Sequence, residues 1–414
     1  MFAPRSAYLH IPFCHRRCFY CDFAVVPLGD QASAAAGAPG AASIAAYLKL
    51  LQREIDATPA GAALSTVYLG GGTPSLLNPE QVRELLGSLR RRHGLAPGAE
   101  ISLELDPASF DQQRLAGYLA AGVNRISLGG QSFDDGVLLG LGRRHSSTDL
   151  EAAIGWLSQA QSQGQLHSWS LDLIEAVPGQ SLADWEQQLQ RAIASNAPHL
   201  SIYALTLETG TVFGKRAERG QLELPDDELA ADLHECTSQV LRAAGYGHYE
   251  ISNYALPGHG SRHNRTYWSG ADWWAYGLGA TSCQGGIRHA RPRTREAYAA
   301  WVAELEQQAG HEQQEWLAGA QPNPGMPFDE RLLVGLRRRE GIDLARLLLQ
   351  AGIADPRPLL LELQQHMQLP LEQGLLLIEG NRWRLSDPEG LALSNAVLRD
   401  LLRWWECVAS APTA

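Results

Sequence analysis

Up to Tyr246 the chain repeats one alternation six times: a short run rich in β-formers, then a longer run whose apolar residues recur at helical spacing. The candidate strands are Ala7 to Phe13, Thr66 to Leu69, Ile101 to Leu105, Arg125 to Leu128, Trp169 to Ile174 and Leu200 to Leu207. Between them, Asn78-Pro-Glu-Gln offers an N-cap and a proline at the first helical position, followed by Val82, Leu85, Leu86 and Leu89 on one face. Leu182, Trp185, Leu189 and Ile193 repeat that spacing, and the last helix is expected from about Asp227 to Ala244. Strands that alternate with helices pair in parallel through right-handed crossovers, so the pattern predicts an α/β fold wound into a full or partial (β/α)6 barrel. In such a barrel the loops that follow the strands carry the chemistry.

The remainder divides by texture. Gly29 to Ala46, rich in Ala, Gly and Ser, is expected to be a loop or insertion after the first strand. Residues 247–310 form an aromatic and glycine-rich extension of the 1–246 barrel, expected as irregular structure packed beside it. Gln307 to Pro327, dense in Gln, Gly and Pro, looks like a linker. Residues 328–414 carry Leu-rich helical runs and a β-like pair, Leu375 to Ile378 and Arg382 to Leu385, around the turn Glu379-Gly-Asn. That order predicts a winged-helix-like module, whose wing need not touch DNA. The 414 residues hold 34 Lys+Arg against 45 Asp+Glu, and the net charge of -11 gives no global footprint for nucleic acid, so none is expected as a partner. With no apolar run of the roughly 18 residues that a spanning helix needs, and no signal peptide in view, a cytoplasmic protein is expected.

Of six cysteines, three crowd into Cys14-His-Arg-Arg-Cys18-Phe-Tyr-Cys21, directly after the first predicted strand, while Cys236, Cys283 and Cys407 are scattered. This distribution suggests a reducing compartment and a metal rather than a disulfide framework. Thiolates at these spacings can hold three irons of a [4Fe-4S] cubane and leave the fourth iron open to a small molecule. The alternative is a zinc site with His10 or His15 as fourth ligand, although structural zinc ordinarily draws on two separated ligand pairs. The second motif is Tyr68-Leu-Gly70-Gly71-Gly72-Thr73-Pro74-Ser75, at the end of the second strand. Its glycines would let a ligand approach the backbone closely, or would simply make a tight strand-to-helix turn.

CxxxCxxC after a strand, with an aromatic residue before its last Cys, is similar to the signature of radical S-adenosylmethionine (SAM) proteins. Within them the chain resembles the branch that holds oxygen-independent coproporphyrinogen III dehydrogenase and the HemW-type heme chaperones. The matching stretches, in order, are Tyr8-Leu-His-Ile-Pro-Phe-Cys14, GGGTPS at 70 to 75, Glu104-Leu-Asp-Pro107, Gln131-Ser-Phe133, Leu141-Gly-Arg143-Arg-His145, Asp172-Leu-Ile174 and Pro178-Gly-Gln180. By position the resemblance implies that Tyr8, Gly71 and Glu104 line one SAM site and that Tyr20 lies over the bound SAM. Gly72, Thr73, Gln131, Arg143 and Asp172 would line a pocket for a second SAM or for substrate. The residue types suit those tasks: a carboxylate accepts from an ammonium or from ribose hydroxyls, and a guanidinium forks onto a carboxylate. Equally, Glu104 and Asp172 could be solvated strand ends, and Arg143 could pair with a neighbouring carboxylate.

The dehydrogenase resembles CxxxCxxCxC with a long N-terminal arm, whereas this chain reads Cys21-Asp22-Phe23 with seven residues before Tyr8. His263-Asn-Arg-Thr-Tyr267-Trp268 is similar to the HNxxYW motif linked with heme in the chaperones. The resemblance therefore implies a heme chaperone that binds heme, a [4Fe-4S] cluster and SAM and passes heme to respiratory acceptor proteins, reached at the membrane surface. The dehydrogenase, or another radical SAM enzyme, is the alternative. Whether SAM is cleaved and whether the chain forms a homodimer stay open. His263 would bind heme, or would be a histidine set beside core aromatics. Two departures stand out: Glu175-Ala176 where the family often has Tyr-Gly, and Thr281-Ser282-Cys283 where it often has His-Ser. Cys283 is either an alternative heme ligand or, as Cys236 and Cys407 are read, a packing residue.

Overall fold

A computed structural model describes residues 4–309 and 326–410, apart from 30–32, 34, 36 and 39. Six strands, β1 (Ser6–Ile11), β2 (Leu64–Gly71), β3 (Leu95–Leu105), β4 (Arg125–Gln131), β5 (Ser168–Glu175) and β6 (His199–Ala204), pair in parallel in chain order. The longer helices between and after them are α1 (Ala41–Ala57), α2 (Pro79–Arg92), α3 (Gln112–Ala121), α4 (Ser147–Ser162), α5 (Leu182–Ala194) and α6 (Asp227–Ala243). Asn78, Ser146 and Ser181 open α2, α4 and α5 with complete capping boxes, which fixes where each crossover turns back. Helix α1 begins at Ala41, inside the stretch expected to be a loop, because its alanines favour a helix once Gly40, at φ 83°, has turned the chain. The expected linker at 307–327 lies largely outside the described residues.

The extension is not irregular. Its strands β7 (Gly247–Glu250) and β8 (Asn253–Ala255) add antiparallel to the β6 edge, while the helix α7 (Arg262–Trp268) leads to β9 (Trp274–Tyr276), which joins β1 in parallel. The sheet thus has nine strands in the order β9-β1-β2-β3-β4-β5-β6-β8-β7. Strands of three or four residues are too short to display a readable period. Further on, the helices α8 (Phe328–Gly335), α9 (Leu344–Gln350) and α10 (Arg357–His366) precede the hairpin β10 (Leu376–Glu379) and β11 (Arg382–Leu385), and α11 (Ser394–Ser410) closes the chain. Phe328, Leu332, Leu348, Leu363, Trp383 and Leu401 give this module a core of its own. Among the described residues no helix is long and apolar enough to cross a membrane.

Along every barrel strand the side chains alternate in character. Val67, Leu69, Leu103, Leu105, Ile126, Leu128, Leu171, Leu173, Leu200 and Ile202 belong to the buried core shared with the helices. The intervening positions are Ser6, Tyr8, His10, Thr66, Tyr68, Ser102, Glu104, Ser127, Ser170, Asp172, Ser201 and Tyr203, and they face one another across a polar lumen. Helix α7 plugs the end of that lumen away from the strand C-termini. The N–H groups of Arg262 and His263 donate to the Glu100 carboxylate at 3.1 and 2.9 Å, and Thr266 meets Ser6 at 3.0 Å.

A buried ion pair fastens the extension to the barrel. Glu54, on α1 and fully buried, accepts from Arg291 Nε at 2.9 Å, the Gly277 N–H at 2.7 Å and the Tyr298 hydroxyl at 2.6 Å. Arg291 also donates to Ser282 Oγ and to the His289 carbonyl. Removing one partner of such a pair strands the other, so Glu54→Gln is expected to cost about 3–5 kcal/mol in urea denaturation. Arg53→Ala, which breaks the exposed pair with Glu306, should cost less than about 1 kcal/mol. Equal losses would show that the buried pair is not what joins the two parts.

Candidate functional site

At the C-terminal ends of the strands the lumen opens into a cavity of about 390 Å³. The strand β1 ends before Pro12, and the cysteine loop that follows is held across the mouth by backbone bonds from Val26 to Pro12 and from Phe19 to Leu141. Cys14, Cys18 and Cys21 all line the cavity, and so do Tyr20, Gly71, Gly72, Thr73, Glu104, Gln131, Arg143 and Asp172. No group of three His, Cys, Asp or Glu side chains that could hold a single metal ion occurs among the described residues. A cubane asks something different of its thiolates, each of which binds a separate iron, so thiols spread around one mouth fit a cluster better than one zinc. Burial pushes the Cys14 thiol up to about 12, and a metal would have to displace its proton on binding. Near Cys18, Arg143 Nη1 lies 3.6 Å from the sulfur and places a positive charge where a thiolate would form.

The glycine run is set by close approach. A side chain on Gly71, at φ 118°, would come within 2.6 Å of the His10 ring, and one on Gly72 within 2.7 Å of the Phe13 carbonyl. The Gly71 N–H donates to Glu104 Oε2 at 2.9 Å. Burial disfavours the charge on Glu104 and lifts its pKa to about 7, against that N–H and the Tyr68 phenol. Asp172 is also raised by burial, opposed by hydroxyls of Ser127, Ser201 and Ser170; Ser127 donates to it at 2.6 Å. Arg143 pairs with Asp106 at 2.7 Å and donates to the Gly129 carbonyl at 3.0 Å, so its pairing with a neighbouring carboxylate is realised. Although burial opposes ionisation of Asp106, Arg143 and His145 outweigh it and hold that carboxyl well below the usual range. The buried Nε of Arg143 has no hydrogen-bond partner among the described residues, which leaves a donor for a bound group. Gln131 sits at φ 64° beside a register shift between β4 and β5, a strained backbone at the rim.

Two expected residues lie elsewhere. Tyr8 stands one layer behind the wall, stacked on Tyr68 with ring centroids 6.2 Å apart, and faces a smaller cavity with His10, Phe23, Tyr267, Trp273 and Arg293. His263 is 1% exposed inside the plug, stacked on Tyr68, with Nδ1 2.9 Å from Thr66 Oγ1 and Nε2 2.8 Å from the Tyr267 hydroxyl. Burial lowers its pKa to about 3, and the structure does not bring it to the large cavity. Cys283 is buried too, its sulfur 3.9 Å from Asp272, while Cys407 is exposed rather than packed. Ala176 holds φ 58°, a left-handed conformation that a glycine would take without strain. Tyr68, Asp106, Ser127 and Tyr203 also line the large cavity, and the sequence reading passed them over. For Tyr68, Ser127 and Tyr203 the alternation along their strands was the available signal.

A carboxyl whose pKa is raised by folding favours the native state while it is protonated. That contribution is present below about 4.3, the unfolded value, and is lost as pH rises through about 7. Glu104→Gln removes this term, so in ligand-free protein the melting temperature of the variant relative to wild type should rise between about pH 5 and pH 8. A difference that does not change with pH would mean that Glu104 is solvated.

Residues 8–192 match the family model of the radical SAM superfamily. Heme chaperone HemW of Synechocystis is 42% identical over 83% of this chain and 80% of its own length, and the Mycobacterium tuberculosis protein of that name is 37% identical over 96% and 95%. Among solved structures, coproporphyrinogen III oxidase (HemN) from Escherichia coli, a radical SAM enzyme, aligns with a TM-score of 0.75 at 22% identity, covering 96% of this chain and 90% of that one. At that identity the match speaks for the fold, a radical SAM partial barrel. On its sequence likeness over 80–95% of the length of these relatives, the chain belongs to the HemW family within the radical SAM superfamily.

Proposed function

We propose that this chain is a heme chaperone of the cytoplasm, which binds heme and passes it to acceptor proteins, with respiratory proteins at the membrane surface as the expected recipients. What carries this reading is the name shared by relatives 37–42% identical to it over 80–95% of their length. In this reading Cys14, Cys18 and Cys21 hold a [4Fe-4S] cluster at the barrel mouth. When bound, the cluster supplies one open iron for the amino and carboxylate groups of SAM and one electron.

The chain's own residues bind and orient. Gly71, Gly72 and Thr73 offer backbone to the methionine moiety, and Glu104, once ionised, accepts from an N–H of its amino group. Asp172, braced by Ser127 and Ser170, and Gln131 accept from or donate to ribose hydroxyls. Arg143 keeps positive charge between Cys18 and Asp106, and Tyr20 closes the site from within the cysteine loop. Tyr8 and His263 act from behind: both stack on Tyr68, whose phenol supports Glu104.

The chaperone reading expects anaerobic, cluster-reconstituted protein to bind heme saturably in an absorbance titration and to leave coproporphyrinogen III unchanged in the presence of SAM and a reductant. Robust conversion to protoporphyrinogen IX would replace it with the dehydrogenase. Reconstitution itself separates the cysteines. Replacing Cys14, Cys18 and Cys21 together by alanine should abolish the iron-sulfur absorbance, whereas Cys283→Ala should keep it; the reverse pattern would move the cluster.

A further inference from the structure

A cavity larger than the one at the barrel mouth lies away from it. About 1210 Å³ in volume, it separates the edge strand β7 and the 255–260 turn from the β10–β11 hairpin. One face of that hairpin, Leu376, Ile378, Trp383 and Leu385, packs into or against the module's own core. The other face, Leu377, Glu379, Arg382 and Arg384, turns to the cleft. Arg242, Arg265 and Arg339 approach from the remaining walls, so five guanidinium groups converge in a protein of net charge -11. Three carboxylates share the cleft, and all are committed: Glu340 to Arg265 and Arg338, Glu379 to Arg384, and Asp387 to Arg242 and His248. Arg382 donates only to the Glu340 carbonyl, at 3.1 Å, and neither it nor Arg339 pairs with a carboxylate among the described residues. Two guanidinium groups are therefore left for an anion. Apolar surface from Tyr246, Tyr249, Leu256, Pro257 and Leu377 stands beside them.

We infer that this cleft takes a large, planar dicarboxylate, and, resting on the heme reading above, that it receives the two propionates of heme on Arg339 and Arg382. Space argues for it first. The cleft, at about 1210 Å³, is far larger than the mouth at about 390 Å³, and His263 is enclosed within the plug. The cleft exceeds the volume of ordinary ligand pockets, which run to about 1,000 Å³. Chemistry argues for it second, since guanidinium groups bind carboxylates through paired, charge-assisted hydrogen bonds. The HNxxYW segment meets the cleft too, through Arg265, which its helix holds on Glu340.

The test titrates the anaerobic, cluster-reconstituted full chain with hemin and with hemin dimethyl ester, comparing wild type with Arg339→Gln/Arg382→Gln. Both arginines are exposed, and Arg382 gives up only its bond to the Glu340 carbonyl, so the fold should persist. Wild type should bind hemin at least about tenfold more tightly than the double variant does, as losing charge-assisted bonds predicts. The ester, tested on unaltered protein, should bind as weakly as hemin binds the variant. Equal hemin affinity in both proteins, or an ester that binds wild type as tightly as the acid, overturns the cleft assignment and leaves the chaperone reading standing. No hemin binding by wild type overturns both.

Discussion

A barrel whose lumen is polar is stable only if most of those polar groups find partners away from bulk water, because an unpaired buried donor or acceptor costs about 1–3 kcal/mol. Much else in this structure follows from that requirement. Ser127 and Ser170 settle on Asp172, Arg125 on Ser168, and Tyr68 on Glu104. At the closed end, where water would otherwise enter, helix α7 brings its free N–H groups to Glu100 and its His263 to Thr66. At the open end, Glu104, Asp172 and Arg143 Nε keep capacity for a ligand. The site is the open end of the lumen, where such capacity is left over.

This division gives the HNxxYW segment a structural role that its spelling does not reveal. His263 and Tyr267 form a chain of contacts from Thr66 through the imidazole to the phenol and on to Trp273, whose ring centroid lies 4.8 Å from that of Tyr267. The same short helix sends Arg265 outward to the interface with the C-terminal module. One segment thus touches the lumen, the smaller aromatic cavity and the cleft.

How much of this was legible depended on length and on period. The six barrel strands were readable, and so were helices such as α2 and α5, because each apolar face repeats over enough residues and Asn78 marks the start of α2. The cysteine loop and the glycine run were readable because few other folds ask for those residues at those spacings. The strands at 247–250, 253–255 and 274–276 were not, since three or four residues cannot declare a period and they pair with segments far away in the chain. Burial of His263 was hidden for a similar reason: it is set by Glu100 and Thr66, 163 and 197 residues earlier. Asp106 escaped notice although it lies within the matched Glu104-Leu-Asp-Pro stretch, because only the folded chain shows that Arg143 reaches it.

The alternation along the strands also says something about how such a protein can change over time. Packing residues and lumen residues occupy separate parities of the same six strands, so the scaffold and its interior chemistry are written in interleaved alphabets. A lineage could rewrite every second letter, exchanging one bound molecule for another, while the hydrophobic letters that hold the helices stay as they are. Cargo and architecture can then drift independently.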